Sequence, residues 1–271
     1  MNLRWFFWKN STANVVRAAV AAGILLGLLA SKPAAAIENL RVVKGVLILE
    51  GKIEPGDYTR VRNFLGDATN FREMSGQVFL ASQGGNVFEA LQIGYLIRHL
   101  QLTTDAPSRP PPTTRSSVSE IIHPFDLADP RHYYCTSACF LLYVAGVYRE
   151  FIWAGRLGLH HPQLERKPIG VTETDIAVVT ADMRSRLKDY FEQMDVPNKY
   201  LELMYSVPPN EVRWISQAEF NADLKGYVPE IRALLDAKCD SRLGSTEIQR
   251  CTAQIKTELR NAAWHKIFHR D

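Results

Sequence analysis

Between residues 46 and 100 the chain alternates short apolar runs with longer stretches of helical periodicity, and this rhythm limits the fold more than any other feature. Residues 46–49, Val-Leu-Ile-Leu, form an apolar run that stops at Glu50-Gly51. After Glu54-Pro55-Gly56-Asp57, the residues Tyr58, Val61, Phe64 and Leu65 recur at helical spacing. A second strand is expected over 77–82, ending at Gly84-Gly85. A second helix comes next over about 87–100, its buried face made by Val87, Leu91, Tyr95 and Leu96. Strands separated by helices that can cross over a sheet predict an α/β fold with parallel pairing.

The rhythm breaks over residues 103–131, where Pro107, Pro110, Pro111 and Pro112 stand among Ser and Thr. Prolines at that density oppose regular structure, so the segment reads as a long excursion near the mouth of the site. An apolar, buried helix is expected over 137–147, then two short strands over 150–153 and 156–160 joined through Ala154-Gly155. Residues 172–194 form a long amphipathic helix with Ile176, Val179, Met183, Leu187, Tyr190 and Phe191 on one side. A shorter helix covers about 199–205, and Ser216-Gln217-Ala218-Glu219 has the form of a capping box. From Pro229 to the end at residue 271 the chain reads as a charged helical tail of two helices.

The first 36 residues carry Arg4, Lys9 and Arg17 ahead of an apolar run at 18–30, followed by Ser31-Lys32-Pro33-Ala34-Ala35-Ala36. A basic start, a short apolar core and an A-x-A site describe a secretory signal peptide, with cleavage after Ala36. The run is shorter than the roughly 20 residues that span a bilayer. Trp5, Phe6, Phe7 and Trp8 would hold the segment at a membrane interface if it stayed uncleaved. Loss of Arg4, Lys9, Arg17 and Lys32, with no acidic residue beside them, takes the formal charge from +3 to −1. The basic pI therefore belongs partly to the leader, and no nucleic-acid partner is expected.

All four cysteines, Cys135, Cys139, Cys239 and Cys251, lie beyond the leader. An even count in an exported, periplasmic chain predicts two disulfides. Local pairing, 135–139 and 239–251, is expected among the three possible connectivities. A 135–139 bond would brace the loop around Ser137 and needs non-helical geometry at Cys135.

The chemistry concentrates in Ser82-Gln83-Gly84-Gly85, Cys135-Thr136-Ser137-Ala138-Cys139 and Leu159-His160-His161-Pro162. A serine at a helix mouth, glycines that let N–H groups approach an oxyanion, and a histidine that can take a proton are the parts of a serine hydrolase. The plainer alternative for Ser137 is a helix N-cap. Strand alternation aims only one of His160 and His161 inward, and the motif register favours His160. His132, Cys135, Cys139, His160 and His161 do not have the paired spacing of a zinc site, so no metal is expected. No phosphate-binding glycine loop is present, and no cofactor is expected.

The order of these motifs resembles the proteolytic subunit of Clp protease, and more closely the exported Clp-like proteins of bacteria that share the Ser-Ala-Cys context. The resemblance covers residues of about 46–227 without the proline-rich insertion. It implies the Clp/crotonase arrangement of repeated ββα units, here with a C-terminal helical extension over 229–271. It also implies Ser137 as nucleophile, Gly85 and Ala138 as oxyanion donors and His160 as base, with His161 where the Clp subunit has a glutamine. The aspartate of the family falls on Val212, leaving Glu211 and Asn210 as displaced candidates and Asp195 as a weaker one. The activity implied by the resemblance is that of an ATP-independent endopeptidase-like hydrolase, acting on peptides or unfolded protein as a homo-oligomer. An inactive scaffold of the same fold is the alternative.

Overall fold

The computed structural model describes residues 37–106, 134–151, 156–162, 172–208, 210–239 and 244–269. The leader over 1–36, the proline-rich segment beyond residue 106 and His132 lie outside the described residues.

Strand β1 (Asn39–Val43) turns back through Lys44 and Gly45, both at positive φ, into β2 (Val46–Glu50). Two such residues in succession match the right-handed twist of a hairpin. Helices α1 (Asp57–Gly66) and α2 (Ala68–Glu73) then cross to β3 (Gln77–Ala81), which pairs parallel to β2 from Val46↔Gln77 to Glu50↔Ala81. Helix α3 (Val87–His99) leads to β4 (Thr103–Ala106), parallel to β3. The chain next contributes β5 (Tyr134–Thr136) to a smaller sheet and enters α4 (Ala138–Val144). It returns with β6 (Tyr148–Phe151), parallel to β4, and leaves again for β7 (Arg156–Leu159), parallel to β5. After α5 (Glu173–Gln193) and α6 (Lys199–Ser206), β8 (Arg213–Trp214) pairs antiparallel to β7. The short α7 (Gln217–Glu219) and a π-turn precede β9 (Gly226–Tyr227), which is antiparallel to β6. The main sheet has the order β1-β2-β3-β4-β6-β9 and the smaller one β5-β7-β8. Bridges Ile53↔Gly85 and Ser82↔Cys135 extend the smaller layer beside β5.

Leu47, Leu49, Val78 and Leu80 belong to the principal core, while Ile48, Phe79 and Ala81 form a separate cluster on the other face of the sheet. Apolar residues on both faces are what buried parallel strands require. Every residue of α4 is buried, so this helix is apolar all round rather than amphipathic. Phe140, Leu141 and Leu142 sit at its centre, each worth about 1.5–3 kcal/mol relative to exposure.

The structure departs from the expectations at three places. Residues 103–106 are a strand inside the main sheet, so the break in rhythm starts four residues later than expected. Thr103, Thr104 and Asp105 are polar and so gave no apolar signal, and distant groups meet part of their hydrogen-bonding capacity. The Thr104 hydroxyl donates to the Tyr143 carbonyl at 2.6 Å, and Gln77 donates to the Asp105 carboxylate. The apolar helix expected over 137–147 is shorter, starting at Ala138 and ending at Val144. Last, the strands on either side of Ala154-Gly155 belong to different sheets.

The tail forms α8 (Pro229–Lys238) and α9 (Ser245–Phe268), linked by a Cys239–Cys251 disulfide. It is no loose appendage: Trp264 donates to the Leu65 carbonyl at 2.7 Å and stacks on Phe71 at 5.1 Å. Residues from Ala35 to Asp271 group as one compact unit. Helix α5 is capped by Thr172 and Asp175 in a reciprocal capping box. Only Leu187, Tyr190 and Phe191 of its apolar side are buried, while Val178 and Val179 remain 65% and 41% exposed.

Candidate active site

The site lies where the chain leaves the C-terminal ends of β3, β5 and β7. Ser137 sits between β5 and α4 with φ 57° and ψ −125°, a region that L-residues other than glycine rarely occupy. A capping serine would have extended backbone and accept from the third residue of the helix. Ser137 does neither, and its side chain makes no capping bond. Its N–H donates to the Gly158 carbonyl at 3.0 Å, continuing the parallel register Thr136↔Gly158. A strained serine on a sharp strand-to-helix turn is the form a nucleophile elbow takes.

Cys135, in β5, and Cys139, in α4, are disulfide-bonded with a Cα–Cα distance of 5.1 Å, bracketing Ser137. Both residues are buried. The pairing meets the need for non-helical geometry at Cys135, because that residue is a strand residue. The two disulfides fit an oxidising compartment. Among the described residues no helix is long and apolar enough to cross a membrane.

Gly84 and Gly85 come after β3 at φ 95° and 137°. A Cβ on Gly84 would come within 2.6 Å of the Ser137 Cβ and 2.9 Å of the Ala138 nitrogen, so the glycine backbone lies directly against the serine turn. A Cβ on Gly85 would strike the Ile53 carbonyl at 2.0 Å. Ile53 N–H donates to the Gly84 carbonyl and Asn86 N–H donates to the Ile53 carbonyl. A residue between two such bonds turns its own N–H to the opposite side, and the Gly85 N–H has no acceptor among the described residues. Ala138 is the first residue of α4, whose N–H is one of the orphan donors of a helix start.

His160 stands just past β7, two residues beyond Gly158, and is partly exposed. Its Nδ1 contacts the His161 carbonyl at 3.0 Å. A carbonyl only accepts, so in the neutral ring this bond puts the proton on Nδ1 and leaves Nε2 as an acceptor. Neither Ser137 Oγ nor His160 Nε2 makes a hydrogen bond among the described residues; catalytic contacts often tighten only with substrate bound. His161 packs edge-on against Tyr205 at 5.0 Å, with Nδ1 2.8 Å from the Pro162 carbonyl.

Among the described residues no hydrogen bond joins an acid candidate to the His160 ring. Glu211 and Asn210 are exposed, and among the described residues the Glu211 carboxylate has no hydrogen bond. The β7–β8 pairing Leu159↔Arg213, continued by one residue, sets Val212 opposite His160. Asp195 is 3.4 Å from Arg98, away from this cluster; burial raises its carboxyl above the usual range. Among the described residues no group of three or more His, Cys, Asp or Glu could hold a metal ion.

The glycine pair was expected from the sequence, whereas Gly158 and Tyr205 were not. Gly84 touches the serine turn, and Gly158 supplies the carbonyl that anchors Ser137. Gly158 had a signal in the sequence, since a glycine within a strand marks a close backbone approach. Tyr205, which meets His161, had none, because it reads as one more apolar residue of a short helix.

No family model matches the sequence, and no curated protein matches it. Among solved structures the chain is similar to a ClpP1 mutant from Listeria monocytogenes, at 14% sequence identity and a TM-score of 0.41. That match covers 66% of this chain and 86% of the other.

Proposed function

We propose that this protein is an exported, Clp-like serine hydrolase that cleaves peptide bonds, with Ser137 as nucleophile and His160 as base. One observation carries the reading: Ser137 occupies a strained turn between strand and helix without acting as a cap, against a glycine pair. Serine Oγ attacks the carbonyl while His160 Nε2 takes its proton, then returns it to the leaving amine. The N–H groups of Gly85 and Ala138 stabilise the oxyanion. The His161 carbonyl, accepting from Nδ1–H, holds the ring and takes the orienting part of the family's aspartate. The enzyme is then a Ser–His dyad with a main-chain partner, and Glu211 and Asn210 are bystanders.

The fold accords with a ββα repeat of the Clp/crotonase kind. Each of β2, β3, β4 and β6 leads to a stretch in the smaller layer and then a helix: Ile53 and α1, Ser82–Gly85 and α3, β5 and α4, β7 and α5. The exposed apolar side of the first half of α5 supports self-association into a ring or stack.

Fluorophosphonate labelling of wild type and Ser137→Ala tests the assignment. Labelling of the wild type at Ser137, lost in the variant and in His160→Ala, is the expected result. A second reading, an inactive oligomeric scaffold, is favoured by the lack of a carboxylate partner for His160 among the described residues. A folded wild type that neither labels nor hydrolyses unfolded protein substrates would decide for the scaffold.

A further inference from the structure

We propose that the Cys135–Cys139 disulfide is a positioning device: it selects the nucleophilic backbone conformation of Ser137 over the helix-cap conformation, so that the reactivity of the serine depends on the redox state of this pair. The inference rests on the reading of Ser137 as the nucleophile.

Ser137 has two arrangements open to it. In one, its backbone is extended and Oγ accepts from the Phe140 N–H, the third residue of α4, as a capping serine does. In the other, the observed one, φ is 57° and Oγ makes no capping bond. The second arrangement gives up a cap and takes on backbone strain, and such conformations persist only where the surroundings over-determine them. The hydrogen bonds around the turn are few: Ser137 N–H to the Gly158 carbonyl, Thr136 N–H to the Ser82 carbonyl, and Phe140 N–H to the Ser137 carbonyl. In a capped start the Phe140 N–H would turn to Ser137 Oγ, as the Asp175 and Glu219 N–H groups turn to Thr172 and Ser216, so its bond to the Ser137 carbonyl belongs to the observed arrangement. Beside these bonds and the Gly84 backbone that lies against the turn, one constraint spans the serine covalently. With Cys135 in β5 and Cys139 in α4, the Cα atoms are held 5.1 Å apart across the serine. An extended Ser137 lengthens that path and pulls the two ends apart, so the closed bond favours the tight turn.

Reduction proceeds by ordinary thiol–disulfide exchange. A thiolate of an external dithiol attacks one sulfur to give a mixed disulfide, and the second thiol of the reagent displaces it. The protein gains two thiols and the dithiol is oxidised to its disulfide. Because both cysteines are buried, exchange requires local opening of the turn and is slow in the resting protein.

The test compares wild type, Cys135→Ala/Cys139→Ala and Cys239→Ala/Cys251→Ala, each checked for fold by circular dichroism and melting temperature. The probe is a fluorophosphonate, with the maximal inactivation rate separated from the apparent binding constant. The first double variant is expected to lose about tenfold to a hundredfold in the maximal rate with its binding constant unchanged. The second double variant should react as wild type does, although it too has lost a disulfide. Ser137 Cα and Cβ chemical shifts supply an independent readout, moving from left-handed to extended values in the first double variant alone. Should that variant not fold, Cys239→Ala/Cys251→Ala treated with dithiothreitol leaves only the 135–139 bond to reduce and replaces it. Wild-type labelling rates and unchanged Ser137 shifts in a folded protein lacking the bond would overturn the proposal. A wild type that never labels, with shifts that still move, removes the hydrolase reading and leaves the conformational one standing.

Discussion

At Gly84 a single methyl group would displace the serine turn. An alanine there would need φ near 95° and would press on the Ser137 Cβ, the Thr136 carbonyl and the Ala138 nitrogen, all within 2.9 Å. We expect Gly84→Ala to cost about 1–3 kcal/mol in stability and to slow fluorophosphonate labelling of Ser137 well beyond what that loss explains. Denaturant melts and labelling rates on the same preparation check both. A labelling rate equal to wild type would mean that the glycine serves the fold alone. The His160 ring gives a second residue-scale test. Removing the orienting acid of a working triad costs on the order of 10⁴ in kcat. With Nδ1 on the His161 carbonyl, Glu211→Gln should instead leave the labelling rate within about threefold, and a collapse of that rate would install Glu211 as the third member.

Among the elements, β4 carries the most unusual side chain. Asp105 is fully buried in the main sheet, with one carboxylate oxygen unpartnered among the described residues. Burial is the main cause that lifts its pKa from 3.8 to about 6; the Gln77 hydrogen bond and Lys256 work against the shift and Glu150 adds to it. A carboxyl with a raised pKa binds a proton more tightly folded than unfolded, so between about pH 4 and 6 the folded state holds more protons. Stability therefore falls as pH rises through that window and levels off above it. Asp105→Asn should abolish the slope and leave the protein more stable than wild type at pH 7, by roughly 1–3 kcal/mol. Urea melts of both proteins across about pH 4–7 measure it, and parallel curves would refute the assignment. The tail supplies another element-scale expectation. Cys251→Ser opens a disulfide of sequence separation 12, which the chain-entropy relation values at about 3 kcal/mol. The loss should appear as a lower melting temperature without a change in Ser137 reactivity, because α9 contacts α1 and α2 rather than the serine turn.

For the whole molecule the question is what covers the first half of α5. Val178 and Val179 stand 65% and 41% exposed on a helix whose anchor is its last two turns, Leu187 to Phe191. A helix needs only that second half to hold its own sheet. If the projecting half seats a second copy, Val178→Asp/Val179→Asp should lower the assembly mass by light scattering at micromolar concentration while leaving the melting temperature of the subunit nearly unchanged. A wild type that is already monomeric would dismiss the idea. The sequence pattern places Ile176 through Phe191 on one side of the helix, and within the subunit only Leu187, Tyr190 and Phe191 of that side are fully buried. Periodicity reports which residues share a face, and only the neighbouring chain segments decide whether that face is met.

The sequence by itself determined the elements whose forces are local. Apolar runs bounded by glycine made β2 and β3, the Thr172–Asp175 and Ser216–Glu219 pairs capped their helices, and Cys spacing suggested the two local disulfides. It also singled out Ser137, the glycine pair and His160, because a turn that must bring N–H groups near a serine can be built from few residue types. Tertiary structure decided everything that depended on partners distant along the chain. Thr104 and Asp105 lie in a central strand where the Tyr143 carbonyl takes the Thr104 hydroxyl and Gln77 meets one Asp105 oxygen. Trp264 made the tail part of the core by reaching Leu65 and Phe71, about two hundred residues away. The choice between cap and strained turn at Ser137 was also tertiary: a serine before an apolar helix is compatible with either, and only packing against Gly84, pairing with Gly158 and closure of the surrounding disulfide distinguish them.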